Sequence, residues 1–185
     1  MKFSMFRPGR KGERGLGLLE VLVGLAIFAL ISSASSVVVM QMLRVNASAN
    51  NRVTAITQVQ NAGYWLSRDA QQARVILKGD DPYTEETTED FVAIFSWSEW
   101  DGTKDTIIYE LDGNGGLVRS HYQGGEYYQD GTLIDETTIA RFITEASVNI
   151  DETSLYTTAA ITATVGGFQR VSETRVYEIV PRTRM

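Results

Sequence analysis

The chain has 185 residues, no cysteine and a net charge of −6 at pH 7. That length suits one anchoring helix and one modest domain, and the lack of cysteine excludes disulfides, thiolate metal sites and a thiol nucleophile. Because a negative surface repels phosphate backbones, nucleic acid is a poor partner for such a chain.

The N-terminal region joins a basic leader to a long apolar run. The charged residues before position 15 are Lys2, Arg7, Arg10, Lys11, Glu13 and Arg14. The run from Val21 to Leu43 contains no charged residue. About 20 apolar residues span a bilayer, and the flank of the span that is rich in Lys and Arg stays on the cytoplasmic side. We therefore predict a single pass through the cytoplasmic membrane, with a cytoplasmic leader and an extracytoplasmic head.

Two simpler interpretations of this region compete. A cleaved signal peptide has an apolar core of roughly 7–15 residues, which is shorter than this run, and Ser33-Ala34-Ser35 is only a weak cleavage site. A plain signal anchor fits the length better. A plain anchor does not explain Glu20, however. Placing a charge near the membrane interior costs a few kcal/mol, so such a residue suggests a function.

The segment Gly15-Leu16-Gly17-Leu18-Leu19-Glu20 resembles the N-terminal processing and methylation segment of type IV pilins and type II secretion pseudopilins. In that family a prepilin peptidase cuts after a glycine, and the fifth mature residue is glutamate. A cut between Gly15 and Leu16 makes Glu20 the fifth residue. The family more often has Phe at the first mature position, and Thr-Leu-Ile where this chain has Gly17-Leu18-Leu19.

The resemblance implies that Leu16 is N-methylated and that Glu20 neutralises the Leu16 amine of a neighbouring subunit. A buried pair of this kind is suited to fixing register, since leaving one partner alone costs several kcal/mol. The implied partners are prepilin peptidase, other pilin or pseudopilin subunits and an inner-membrane assembly platform, with no cofactor. Removing the 15-residue leader takes five of 17 bases and one of 23 acids, which leaves a net charge of −10.

Residues 16–78 are predicted to form one helix. The stretch has no proline, and past the membrane run its apolar positions recur in steps of three and four, at Val45, Ala49, Val53, Ile56, Val59, Gly63, Leu66, Ala70, Ala73 and Leu77. This spacing predicts an apolar assembly half over 16–43 and an amphipathic half over 44–78. Val37 stands where major pilins of the family commonly have proline, so the Ser32–Ser36 cluster is the candidate for local bending.

Residues 79–185 are predicted to form a connector and a β-sheet head. The acidic connector Asp80–Asp90 favours a solvated loop over a calcium site, because it lacks ligands at every second position. The segments that predict strands are Phe91–Trp97, Thr106–Leu111, Leu117–Tyr122, Thr138–Ile150, Tyr156–Val165 and Thr174–Val180. Asp112–Gly116 predicts a turn. The fold class is therefore α+β, a long helix packed on an antiparallel sheet.

A narrower resemblance involves two segments. Tyr64–Ala73 is similar to the helix end of J-type pseudopilins and W-type minor pilins, and Ile107–Leu111 with Gly116–Arg119 is similar to their central hairpin. This resemblance implies a minor subunit near the tip of a fibre.

No enzyme motif is present, and no enzymatic activity is expected. His121 is the only histidine and is predicted to be hydrogen-bonded or exposed rather than a catalytic base. An alternative function is an unprocessed, membrane-tethered binding or adhesion module. Its binding face would use the aromatic residues Trp65, Trp97, Trp100, Tyr127 and Tyr128, although core packing is favoured for the tryptophans. An anchored enzyme is a third, weaker alternative, since no nucleophile–base set is evident.

Overall fold

The computed structural model describes residues 17–78, 91–125, 128–150, 156–167 and 169–180. The predicted leader 1–15, the cleavage residues Gly15 and Leu16, the connector Asp80–Asp90 and Tyr127 lie outside these ranges. The chain divides into two compact units, Met1–Val45 and Asn46–Met185.

Helix α1 spans Leu18–Gln72. It begins where the carbonyl of Gly17 accepts hydrogen bonds from the amides of Glu20 (2.9 Å) and Val21 (3.3 Å). The helix is continuous through the predicted bending site, where the hydroxyls of Ser33, Ser35 and Ser36 each donate to a carbonyl three or four residues earlier. These bonds satisfy polar groups that lipid could not satisfy.

The predicted end of the helix near Lys78 is wrong. The helix ends at Gln72, and Val75–Lys78 form strand β1, which pairs antiparallel with strand β2, Phe91–Ser98. The amide of Arg74 already donates to the carbonyl of Ser96 at 2.9 Å. Val75 and Ile76 are β-branched and therefore favour strands. Pairing with β2 also satisfies the hydrogen bonds of their backbone, so tertiary structure overrides the helical spacing of the apolar residues.

The head contains two antiparallel sheets. The first is a meander of β1, β2, β3 (Lys104–Leu111), β4 (Leu117–Gln123) and β5 (Thr132–Ala140). The second orders β6 (Ile143–Ile150), β7 (Thr157–Val165) and β8 (Val171–Ile179). A 3₁₀ turn at Tyr128–Asp130 precedes β5. The α+β class is confirmed, whereas the division into two sheets was not predicted.

One predicted strand, Thr138–Ile150, is wrong, because the chain turns a corner inside it. Phe142 has a positive φ of 61° and ends the extended run between β5 and β6. Three hydrogen bonds fix this corner. The amide of Ile143 donates to the carbonyl of Gly115 (2.8 Å), and the amide of Thr164 donates to the carbonyl of Phe142 (2.8 Å). The amide of Arg141 donates to Oε1 of Gln58 (2.7 Å). Gly115 belongs to the predicted Asp112–Gly116 turn, which is confirmed.

The head has one hydrophobic core shared by α1 and both sheets. Its fully buried large side chains include Leu66 of α1, Phe95, Ile107 and Tyr109 of the first sheet, and Ile143, Ile161 and Ile179 of the second. The predicted helix stripe is buried at Val59, Gly63, Leu66 and Ala70, but Val53 is exposed and Ala55 and Ala62 are buried instead.

Candidate functional site

The predicted assembly residue Glu20 lies in the first turn of α1 and is exposed. A carboxylate there interacts favourably with the positive end of the helix dipole. No residue in the described part of the chain forms an ion pair with it. Its predicted partner is the N-terminal amine of a neighbouring subunit, and the chain's own Gly15 and Leu16 lie outside the described residues.

The side chains that follow Glu20 form an apolar surface. Leu22, Leu25, Phe28, Leu30 and Ile31 are all exposed within the chain. Within the described ranges, α1 is the one helix long and apolar enough to cross a membrane. Such a surface needs lipid or other helices to cover it, because apolar surface is unfavourable in water.

In the head, the structure brings together three polar residues that the sequence leaves far apart. Asp69 of α1 is 1% exposed. Its Oδ2 accepts from Arg119 Nε at 2.6 Å and from the Tyr109 hydroxyl at 2.6 Å, and its Oδ1 accepts from Arg119 Nη2 at 3.3 Å. This is a bidentate arginine–carboxylate pair with a third donor, an arrangement that fixes geometry as well as charge.

The environment of this cluster raises the pKa values of Tyr109 and Arg119. Burial, and then the negative charge of Asp69, raise the pKa of the Tyr109 hydroxyl well above its ordinary value. Burial alone would lower the pKa of Arg119, but the hydrogen bond and charge of Asp69 outweigh it and raise the pKa. The Trp65 ring lies 5.1 Å from the Arg119 guanidinium and 5.2 Å from that of Arg68, which adds cation–π attraction.

This cluster ties the end of α1 to the middle of the first sheet. Asp69 and Arg119 belong to the two segments that carry the narrower family resemblance, but their pairing was not predicted. One signal was available: Asp69 falls three residues after Leu66, on the apolar face of the helix. An acid at such a position requires a buried partner.

His121 is hydrogen-bonded, as predicted. Its Nε2 lies 2.8 Å from Oδ1 of the buried Asp105, which also accepts from Gln123 Nε2 at 3.4 Å. Across the described ranges, no group of three potential ligands could hold a metal ion.

The three tryptophans have different environments. Trp65 and Trp97 pack against the core, as predicted. Trp100 is 97% exposed, so the prediction of core packing is wrong for this residue. Tyr128 lies in the 3₁₀ turn.

In comparison with known families, the model of the prokaryotic N-terminal methylation motif matches residues 10–36. This match over the N-terminal segment supports the resemblance to type IV pilins and pseudopilins. Comparisons with curated proteins and with solved structures returned no significant match. The motif implies that this pilin-like chain is processed by a prepilin peptidase and assembles with other pilin subunits. Together with the exposed apolar helix, it fits a membrane-anchored, single-pass topology.

Proposed function

We propose that this pilin-like chain is a structural, non-enzymatic minor subunit of a type IV pilus or a type II secretion pseudopilus. The observation that carries the proposal is Glu20, an exposed carboxylate in the first turn of an apolar helix, inside the matched motif. A minor role is supported by the narrower resemblance of Tyr64–Ala73 and by Val37 in place of the proline common in major pilins.

In this proposal the leader stays cytoplasmic and is cut between Gly15 and Leu16. Leu16 is then N-methylated, and α1 moves from lipid into the core of a fibre. Lipid tails are as apolar as the helix itself, so close packing and the Glu20 contact must supply specificity. Glu20 would accept the charge of a neighbour's Leu16 amine and so set the docking register.

Processing can be tested by mass spectrometry of the membrane-bound protein. We expect the wild type to lack 15 residues and to carry one added methyl group. Gly15→Val should remain full-length, because a branched side chain at the cut site blocks the close backbone approach that glycine permits. Gly12→Val, a matched change within the leader, should be processed normally. Normal processing of Gly15→Val would contradict the assignment of the cut.

One observation favours a second candidate, the unprocessed, tethered binding module. Trp100 presents an aromatic ring to solvent, as a binding module would. The same measurement separates the two functions, because the binding module predicts an intact chain that retains its leader.

A further inference from the structure

The hairpin between β2 and β3 presents Trp100 to solvent. It spans residues 99–103 and is closed by two backbone bonds, from Glu99 N–H to the Thr103 carbonyl (2.8 Å) and from Gly102 N–H to the Glu99 carbonyl (3.1 Å). Gly102 has a φ of 87°, which favours glycine. The turn therefore has a defined conformation, with Trp100 at its tip.

Each neighbour of Trp100 is engaged in building that turn. Oε1 of Glu99 accepts from Trp97 Nε1 at 3.2 Å, and Oδ1 of Asp101 accepts from the Thr103 amide at 2.9 Å. The bonds to Thr103 also lower the pKa of Asp101, which keeps it ionised. Within the described ranges Trp100 has no side-chain hydrogen bond or ring contact, and it is 97% exposed. A large aromatic side chain that a defined turn presents to water is unfavourable for the isolated subunit and suited to burial in a partner.

The charges around Trp100 define that partner. Glu99 and Asp101 are exposed and flank Trp100 in the sequence, so an anionic lipid surface would be repelled, and a partner pocket would need a basic rim. A second copy of this chain is a poor match, because the chain without its leader carries a net charge of −10. Another protein subunit with an apolar pocket and basic rim satisfies both requirements.

We propose that Trp100 is the anchor through which this chain docks onto a different, basic-rimmed subunit of the same fibre. This inference rests on the proposed function. The hairpin supplies a pre-ordered loop, Trp100 supplies the buried area, and Glu99 and Asp101 supply the charge that selects the partner.

The contact can be tested by photo-crosslinking in cells that assemble the fibre. Trp100→p-benzoylphenylalanine places a reactive aromatic at the tip, and purified fibres are then irradiated and digested. We expect an adduct with another N-methylated pilin-type subunit, identified from its peptide masses. The same substitution at Val176, an exposed residue of β8, is the positional control and should not give that adduct. An adduct only with a second copy, an adduct only with lipid, or no adduct would overturn the inference.

Truncation of the side chain gives an independent measurement. Trp100→Ala should reduce the amount of subunit recovered in fibres at least tenfold relative to the membrane pool, and Trp100→Phe should retain most of it. Because Trp100 is almost fully exposed and has no hydrogen bond or ring contact among the described residues of the head, both variants should keep the wild-type urea midpoint. Fibre recovery of Trp100→Ala equal to that of the wild type would overturn the anchor role. If the wild type itself is neither processed nor found in fibres, the proposed function has failed rather than this inference alone.

Discussion

At Asp69, one carboxylate with 1% exposure accepts hydrogen bonds from both Tyr109 and Arg119. Each of the three groups would be costly to bury alone. Removing one partner of a buried pair costs about 3–5 kcal/mol, although the intact pair adds little net stability. The cluster is best understood as a device that allows one docking position of the helix end on the sheet.

Tyr109 makes the head sensitive to alkaline pH. Burial and Asp69 raise its pKa in the folded state above the ordinary value near 10. The resulting stability is fully present below pH 10 and is lost as the pH rises above it, by about 1.4 kcal/mol per pH unit for each proton concerned. We expect the urea midpoint of the full chain in detergent to fall above pH 10.

Tyr109→Phe should weaken this alkaline loss. At pH 7 it should lower the free energy of unfolding by about 1.5–3 kcal/mol, because a hydrogen bond to a charged group is removed. Part of the decrease in unfolding free energy with rising pH should persist, since burial also raises the pKa values of Tyr122 and Tyr177. Tyr64→Phe, at an exposed residue, is the control. An unchanged slope in Tyr109→Phe would refute this assignment.

At the scale of elements, a side chain of the second sheet packs against α1 at a glycine. The Tyr177 ring of β8 lies directly over Gly63, where an added Cβ would overlap the ring. The Tyr177 hydroxyl donates to the carbonyl of Val59 at 3.1 Å, one turn earlier in the helix. Gly63 thus allows the Tyr177 side chain to reach the backbone of α1. The helical spacing of the apolar residues does not reveal this role.

Gly63→Ala should therefore destabilise the head, against the usual helix preference. Alanine gains about 1 kcal/mol in helix propensity, but overpacking costs about 1–3 kcal/mol. We expect a net loss of about 1 kcal/mol in urea unfolding. Asn61→Ala, at an exposed position of the same helix, should be neutral or slightly stabilising. A Gly63→Ala protein more stable than the wild type would show that the ring moves aside at little cost.

At the scale of the whole molecule, the units Met1–Val45 and Asn46–Met185 differ in how their apolar residues are buried. The head buries its own core from α1 and two sheets. The apolar window of the membrane-spanning helix is unburied within the chain, so its stability depends on what surrounds it. In the proposed function, other subunits cover this surface once the chain enters a fibre.

Glu20→Ala should separate processing from assembly. The proposed cut between Gly15 and Leu16 is separated from Glu20 by four residues, so the variant should still lose its leader, as mass spectrometry can verify. Its recovery in fibres should fall at least tenfold, because a neighbour's Leu16 amine would be left unpaired in an apolar core. Glu13→Ala, which is lost with the leader, should assemble normally. Wild-type fibre recovery of Glu20→Ala would exclude the proposed pairing.

The sequence by itself determined the features that depend on local pattern. These are the methylation motif, the long apolar helix, the α+β class, the Asp112–Gly116 turn and the positions of most strands. Glycine placement, residue period and charge asymmetry act over a few residues, so they can be interpreted without a fold.

Only the tertiary structure decided what depends on distant partners. The helix gives way to β1 at Val75 because β2 supplies its hydrogen bonds. The corner at Phe142 exists because Gly115, Gln58 and Thr164 bond to the residues around it. Asp69 meets Arg119 across 50 residues of sequence, and Trp100 stays in solvent while Trp65 and Trp97 pack inward. Such outcomes follow from packing and pairing across the fold, which no local pattern encodes.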